Sequence, residues 1–362
     1  MKKTLMSLAI LAASGAAYAQ SNVTIYGIMD VGLVSEHGGK NGTVNKVSSG
    51  VANASRLGFK GTEDLGGGLS AVFTLESGLK ADTGELDNVN NQLFNRQAFV
   101  GLSSKSAGTL TLGRQYTPWY NTLAQVGDPF QAGLEGSAKN LFPAVGVMVR
   151  NSNSVVWKSP EFYGVTGEVF YAFGEKKNSD TARQFGASVG YQNGPLNIRG
   201  AYNYINNDTV TPANVVVDKL PGKNALLAVN YDFKVLKAYA MYGVNKGATA
   251  NAYPNPTAYG ALVNPVPVAP SLNSRTWLVG ATIPVSAAGS LVGSWSSAED
   301  KTFGRDGDQA AIGYLHSLSK RTTAYASYAK MRNKNGASYT VGNNGDVGTG
   351  HEGYSVGIRH MF

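Results

Sequence analysis

Residues 116–149 read YTPWYNTLAQVGDPFQAGLEGSAKNLFPAVGVMV, and they interrupt an alternating pattern that holds almost everywhere else in the chain. Pro118, Gly127, Asp128, Pro129, Gly133, Glu135, Gly136 and Pro143 put more breakers and turn formers here than one helix or strand tolerates. So long an irregular insert in a compact domain is expected only where the loop is functional. Arg114 closes the alternating run before it and Arg150 opens the one after it. The expectation is a loop folded into the mouth of a β-barrel, facing cationic side chains on the wall.

Composition agrees with an exported protein. The chain has no Cys, 45 Gly, 19 Tyr, only 15% charged residues and a formal charge of +8. Without Cys there is no disulfide framework, no thiolate metal site and no Cys nucleophile. At the start, Lys2 and Lys3 precede an apolar run from Leu5 to Ala13, and Ala17-Tyr18-Ala19 forms an A-x-A cleavage signal. Residues 1–19 therefore read as a signal peptide and 20–362 as the mature domain. The apolar run is shorter than the ~20 residues a spanning helix needs, and no longer one follows. An exported chain without spanning helices is periplasmic, secreted or an outer-membrane barrel.

The mature chain is written in a period of two. Val23, Ile25, Met29, Val31 and Leu33 alternate with Thr24, Tyr26, Asp30 and Gly32. Leu57 and Phe59 then alternate with Arg56 and Lys60, and a Gly-rich turn leads into Leu69, Ala71, Phe73 and Leu75. Such alternation marks strands with one apolar and one polar face. About sixteen of these segments follow one another to the C-terminus, within the even-numbered range of single-chain outer-membrane barrels. Short turns at 64–67, 105–108, 193–194, 233–236, 286–289 and 319–320 alternate with long polar loops at 35–54, 80–92, 206–221, 247–273, 298–308 and 333–350. A soluble sandwich or solenoid also has many strands, but no fixed repeat length is visible, and Tyr and Phe gather near strand ends as a membrane-interface girdle requires.

In the last run Tyr354, Val356, Ile358, His360 and Phe362 share one face, and the chain stops on Phe. Together with SNVTIYGIMDVGL (21–33), SRLGFKGTEDLGGG (55–68) and QAFVGLSSKSAGTLTLGRQY (97–116), it resembles the general trimeric porins of Gram-negative bacteria, of the type found in Neisseria, Bordetella and Burkholderia relatives. The resemblance runs from the signal peptide to Phe362. It implies an all-β fold, a transmembrane antiparallel barrel of 16 strands with short periplasmic turns and long extracellular loops, the third loop folded into the pore. It also implies a homotrimer in the outer membrane, and a final strand, Tyr354 to Phe362, that is read by the assembly machinery. Lipid, lipopolysaccharide, small hydrophilic solutes and inorganic anions are the expected partners, with no cofactor, no metal and no nucleic acid.

In such a barrel the polar phase of each strand lines the pore. Arg56 and Lys60 oppose Leu57 and Phe59, Arg150 and Lys158 oppose Val155 and Trp157, and Arg199 opposes Leu196 and Ile198, so all five point inward. Arg114 shares parity with Leu110 and Leu112, and only a bulge at Gly113 or a strand leaving the membrane would turn it inward. An Arg facing lipid at mid-membrane costs roughly 2–4 kcal/mol, so inward placement alone does not establish a role. The resemblance adds that role: Arg56, Arg114 and Arg150 match family positions that line the constriction. Lys60, Lys158 and Arg199 form a secondary lining set. Asp128 and Glu135, the only carboxylates of the 116–149 loop, are the expected anions opposite them, although this loop departs from the acidic-aromatic sequence of enterobacterial porins. More basic than acidic groups in the throat predicts anion preference.

Other signals carry less. Gly186-Ala187-Ser188-Val189-Gly190 matches G-x-S-x-G, but lies in a strand pattern rather than a strand-turn-helix elbow. His37, His316, His351 and His360 are too scattered for a metal site or a hydrolase triad. Glu299, Asp300, Asp306 and Asp308 cluster in one loop, read as a solvated acidic loop with a divalent cation as the alternative. The reading is a passive diffusion channel; a solute-specific channel or barrel adhesin is the alternative, and an outer-membrane hydrolase a remoter one.

Overall fold

The computed structural model describes residues 22–39, 42–87, 91–175, 180–210, 216–247, 271–342 and 350–362. The signal-peptide reading of 1–19, most of the loop expected at 247–273 and residues 343–349 of that expected at 333–350 lie outside the described residues. Among them no helix is long and apolar enough to cross a membrane; the chain is built of strands.

One antiparallel sheet holds 17 strands, of which Gly42–Ser49 is a flap on the first and the others close a barrel of sixteen. Numbered in chain order, the barrel strands are β1 (Asn22–Gly39), β2 (Arg56–Gly66), β3 (Leu69–Gly78), β4 (Gln97–Ser104), β5 (Gly108–Tyr116), β6 (Arg150–Lys158), β7 (Val165–Ala172) and β8 (Gln184–Asn193). The second half comprises β9 (Leu196–Ile205), β10 (Gly222–Asp232), β11 (Lys237–Lys246), β12 (Asn273–Pro284), β13 (Gly289–Asp300), β14 (Gly307–Ser317), β15 (Thr322–Asn333) and β16 (Glu352–Met361). Each pairs with its chain neighbour, and β16 returns to β1 from Ile28↔Met361 to His37↔Glu352. Closure removes the free edges that would otherwise leave backbone groups unpaired in lipid.

The period of two is realised as two faces. In β1, Ile25 and Leu33 are 60% and 61% exposed on the outside, whereas Asp30 and Glu36 are fully covered on the inside. Apolar side chains exposed around the whole wall are what a bilayer requires and water does not tolerate. Two expected loops are more ordered than their composition implied: 35–54 is largely a hairpin of the β1 end with Gly42–Ser49, and β13 carries through Asp300 into 298–308. The carboxylates of that second loop are engaged by the protein's own donors: Asp300 by Ser271, Thr302 and Arg305, and Asp308 by Lys334.

The seam between β1 and β16 is held from inside by Asp30. Its carboxylate accepts Tyr325 Oη at 2.8 Å and the backbone N–H groups of Ala52 and Asn53 at 3.3 and 2.9 Å. The chain end is tied in too, with Gly27 and Phe362 exchanging backbone hydrogen bonds at 3.1 and 3.2 Å.

Residues 116–149 do not extend into solvent. Trp119, Leu123, Val126, Leu141, Phe142 and Met148 form the largest buried apolar cluster with Leu226, Ala228, Met241, Leu278 and Ala329, side chains on the inner faces of β10, β11, β12 and β15. A second cluster seats Phe130 and Leu134 against Val34, Val51, Val292 and Tyr325. Polar pins complete the docking: Asn230 Nδ2 donates to Val126 O at 2.9 Å, Gln309 Nε2 to Gly136 O at 3.0 Å, and Leu134 N to Val51 O at 2.6 Å. Gly136 is glycine for lack of room, since a Cβ there would sit 2.4 Å from Ala311 Cβ.

Replacing Tyr325 by Phe deprives the buried Asp30 carboxylate of its one side-chain hydroxyl donor, a loss of roughly 1–3 kcal/mol. The Tyr325→Phe barrel is expected to unfold at a lower temperature in a heat-modifiability gel; an unchanged midpoint would show that this bond does not hold the seam.

Candidate functional site

The docked segment covers one side of the lumen and leaves, on the other, a cavity of about 1120 Å³ against β2, β5 and β6. Its cationic lining comprises Arg56, Lys80, Arg96, Arg114, Lys139 and Arg150, against the carboxylates Asp82 and Asp87. The sheet register explains the gathering. Arg56 opens β2, Arg96 immediately precedes β4, Arg114 lies near the end of β5 and Arg150 opens β6, so the antiparallel pairings Ala98↔Arg114 and Tyr116↔Arg150 hold them at one height of the wall.

Each guanidinium is positioned. Glu76, 2% exposed, accepts Arg96 Nε at 2.8 Å and Tyr26 Oη at 3.0 Å and lies 3.9 Å from Arg56 Nη1. Arg96 Nη2 also donates to Tyr116 Oη at 2.6 Å, and Arg56 Nε to Ala54 O at 2.9 Å. Arg114 is fixed by Asn95 O at 2.6 Å and Ser152 Oγ at 3.0 Å. Arg150 lies over the Tyr116 ring, 5.2 Å from its centroid, and Tyr116 stacks on Tyr120 at 5.4 Å and 12°. One buried carboxylate thus steadies two guanidiniums, and an aromatic pair orders a third.

Arg114 reaches the cavity in spite of its parity, through an irregularity at Gly113. The β5–β6 register shifts between Gly113 and Gln115, so Arg114 alone opposes Ser152 and Asn153. Gly113 has φ +136°, and a Cβ there would sit 2.1 Å from Ala98 O, so glycine is required at the turn of phase.

The other expected residues are placed as follows. Asp128 and Glu135 are each 1% exposed and do not line the cavity. Asp128 accepts the backbone N–H groups of Phe130, Ala132 and Ala138, each at 2.9 Å, and so folds its own segment. Burial pushes its carboxyl up to about 6 against those donors. Glu135 sits at the seam side, where burial and the neighbouring Glu36 push its carboxyl up to about 7. Lys60 lies over Tyr26, 5.3 Å from the ring centroid, Lys158 pairs with Glu168 at 3.7 Å, and Arg199 packs beside Gly190 on the inner face. None of these three lines the cavity.

Sequence reasoning missed Arg96 and Lys139. Arg96 falls just before its strand, where parity does not apply, and its usable signal was Glu76, a carboxylate on the inward phase that needs a cation. Lys139 comes from the segment itself, where no period exists. Burial, with Arg150 and Arg96 nearby, lowers its ammonium to about 8, while Asp128 and Asp87 act in the opposite direction.

A closed sixteen-stranded barrel, apolar outside and cationic within, defines an outer-membrane channel. The chain belongs to the Gram-negative porin family, whose family profile matches residues 5–336. An outer membrane porin protein of Bordetella pertussis is 33% identical over 407 aligned positions covering 100% of both chains. Among solved structures, the anion-selective porin from Comamonas acidovorans matches with a TM-score of 0.77 at 27% identity, covering 94% of this chain and 100% of that one. A trimer form of OmpT from Vibrio cholerae matches with a TM-score of 0.63 at 16% identity, covering 94% and 99%. This protein is an outer-membrane porin, a channel and not an enzyme.

Because the Lys139 ammonium has been lowered to about 8, it is charged below that pH and neutral above it. The chloride-to-potassium permeability ratio is therefore expected to fall between pH 7 and pH 9 in planar bilayers, and to fall less in Lys139→Met. An equal slope in both proteins would assign the titration elsewhere.

Proposed function

We propose that this porin is an anion-preferring channel for small hydrophilic solutes, with Arg56, Arg114 and Arg150, joined by Arg96 and Lys139, as its selectivity throat. The observation that carries this reading is the cavity beside the docked segment, where six cationic side chains meet two carboxylates. Fixed charges of one sign in a narrow, partly dehydrated passage raise the local concentration of counter-ions and discriminate against co-ions. Asp128 and Glu135 are not part of that throat; Asp128 folds the segment that shapes it, and Glu135 is buried on the seam side.

The same reading extends to assembly. We infer a homotrimer in contact with outer-membrane lipid and lipopolysaccharide, following the family. The last strand presents Tyr354, Val356, Ile358 and Phe362 on the outer face, 44–53% exposed, which suits recognition by assembly machinery before the bilayer covers them. The cleaved 1–19 signal belongs to the same route.

The test is the zero-current potential of the purified porin in a KCl gradient. An anion-signed potential is expected, reduced by at least half in Arg114→Ser/Arg150→Ser. A cation-signed potential in the unaltered protein would overturn the reading.

A further inference from the structure

The cavity is not uniformly polar. On the segment, next to Arg150 in the chain, Val145 and Val147 are 60% and 42% exposed, and both line the same space as the arginines. The half-buried Val149 continues this surface. It is held rigidly rather than left loose: Gln184 Nε2 donates to Val147 O at 3.1 Å, Thr117 Oγ1 to Met148 O at 2.5 Å, and Met148 is buried with its Sδ accepting from Asn203 Nδ2. Two valines facing a water-filled lumen gain nothing from water, and a chloride ion gains nothing from them. Their neighbour Arg150 lies over the Tyr116 ring, itself stacked on Tyr120, which leaves a guanidinium beside an apolar ledge.

We propose that this throat favours aromatic monocarboxylates over small aliphatic or inorganic anions, the carboxylate meeting the arginine cluster while the ring lies on the Val145–Val147 ledge. The inference rests on the anion-throat reading and specifies its substrate class. At 1120 Å³ the cavity exceeds the span of ordinary ligand pockets, so such a solute dwells there without sealing the passage. A ring that covers ~40 Å² of apolar surface lengthens the dwell roughly fivefold.

The experiment is single-channel recording in KCl with benzoate or acetate added at equal concentration, with the zero-current potential read in the same membranes. Benzoate is expected to lower the chloride current, by partial block, at about fivefold lower concentration than acetate. In Val145→Ser/Val147→Ser that ratio is expected to fall towards one; both positions are solvent-open, so folding is retained. Equal potency of the two anions in the unaltered protein, or an unchanged ratio in the variant, overturns the inference. A cation-signed zero-current potential instead overturns the throat on which it rests.

Discussion

The burial of Trp119, Leu123 and Phe142 against Leu226, Ala228, Met241 and Leu278 is the contact on which the rest depends. A barrel that conducts water has a polar interior, so apolar side chains on its inner face are an exception that needs a cover. The 116–149 segment supplies that cover, and its own large side chains have nowhere else to go. Each of those three residues contributes roughly 1.5–3 kcal/mol on burial, far more than any exposed loop contact. The polar pins at Asn230, Gln309 and Val51 then set the register of a segment that hydrophobicity alone would leave free to slide.

Two consequences follow from where that patch lies. Because the segment leans on β10 to β15, the open passage is displaced towards β2 to β6, where the arginines stand. Because the segment is docked on both sides, its carboxylates are withdrawn from the passage: Asp128 accepts three N–H groups of its own turn, and Glu135 is buried on the seam side near Glu36. The cavity keeps a positive balance, since the buried acid beside its arginines, Glu76, is outnumbered by the guanidiniums around it.

Much of this was legible in the chain. Period-two alternation gave the strands and the inward phase of Arg56 and Arg150, because one face of each strand must meet lipid. Arg114 was ambiguous by parity, and the two features that settle it, the Gly113 backbone and the extra residue at Ser152–Asn153, are register properties that no single strand reveals. The inner apolar patch left a signal that went unused: NALLAVNYD in β10 is apolar at consecutive positions, the mark of a strand covered on both faces. Asp128 was misjudged for a local reason. An Asp followed by Pro in a tight turn aims its carboxylate at nearby backbone N–H groups, and that chemistry competes with any long-range electrostatic role.

Since the chain has no Cys, a single introduced thiol reports on the segment alone. Val145 is exposed on the segment and lines the cavity beside Arg150. The most direct measurement is the single-channel conductance of Val145→Cys before and after a charged, membrane-impermeant thiol reagent. A segment docked in the lumen puts that thiol in the passage, so the conductance falls in discrete steps on labelling. A fully labelled porin of unchanged conductance would place residues 116–149 outside the passage and contradict the account.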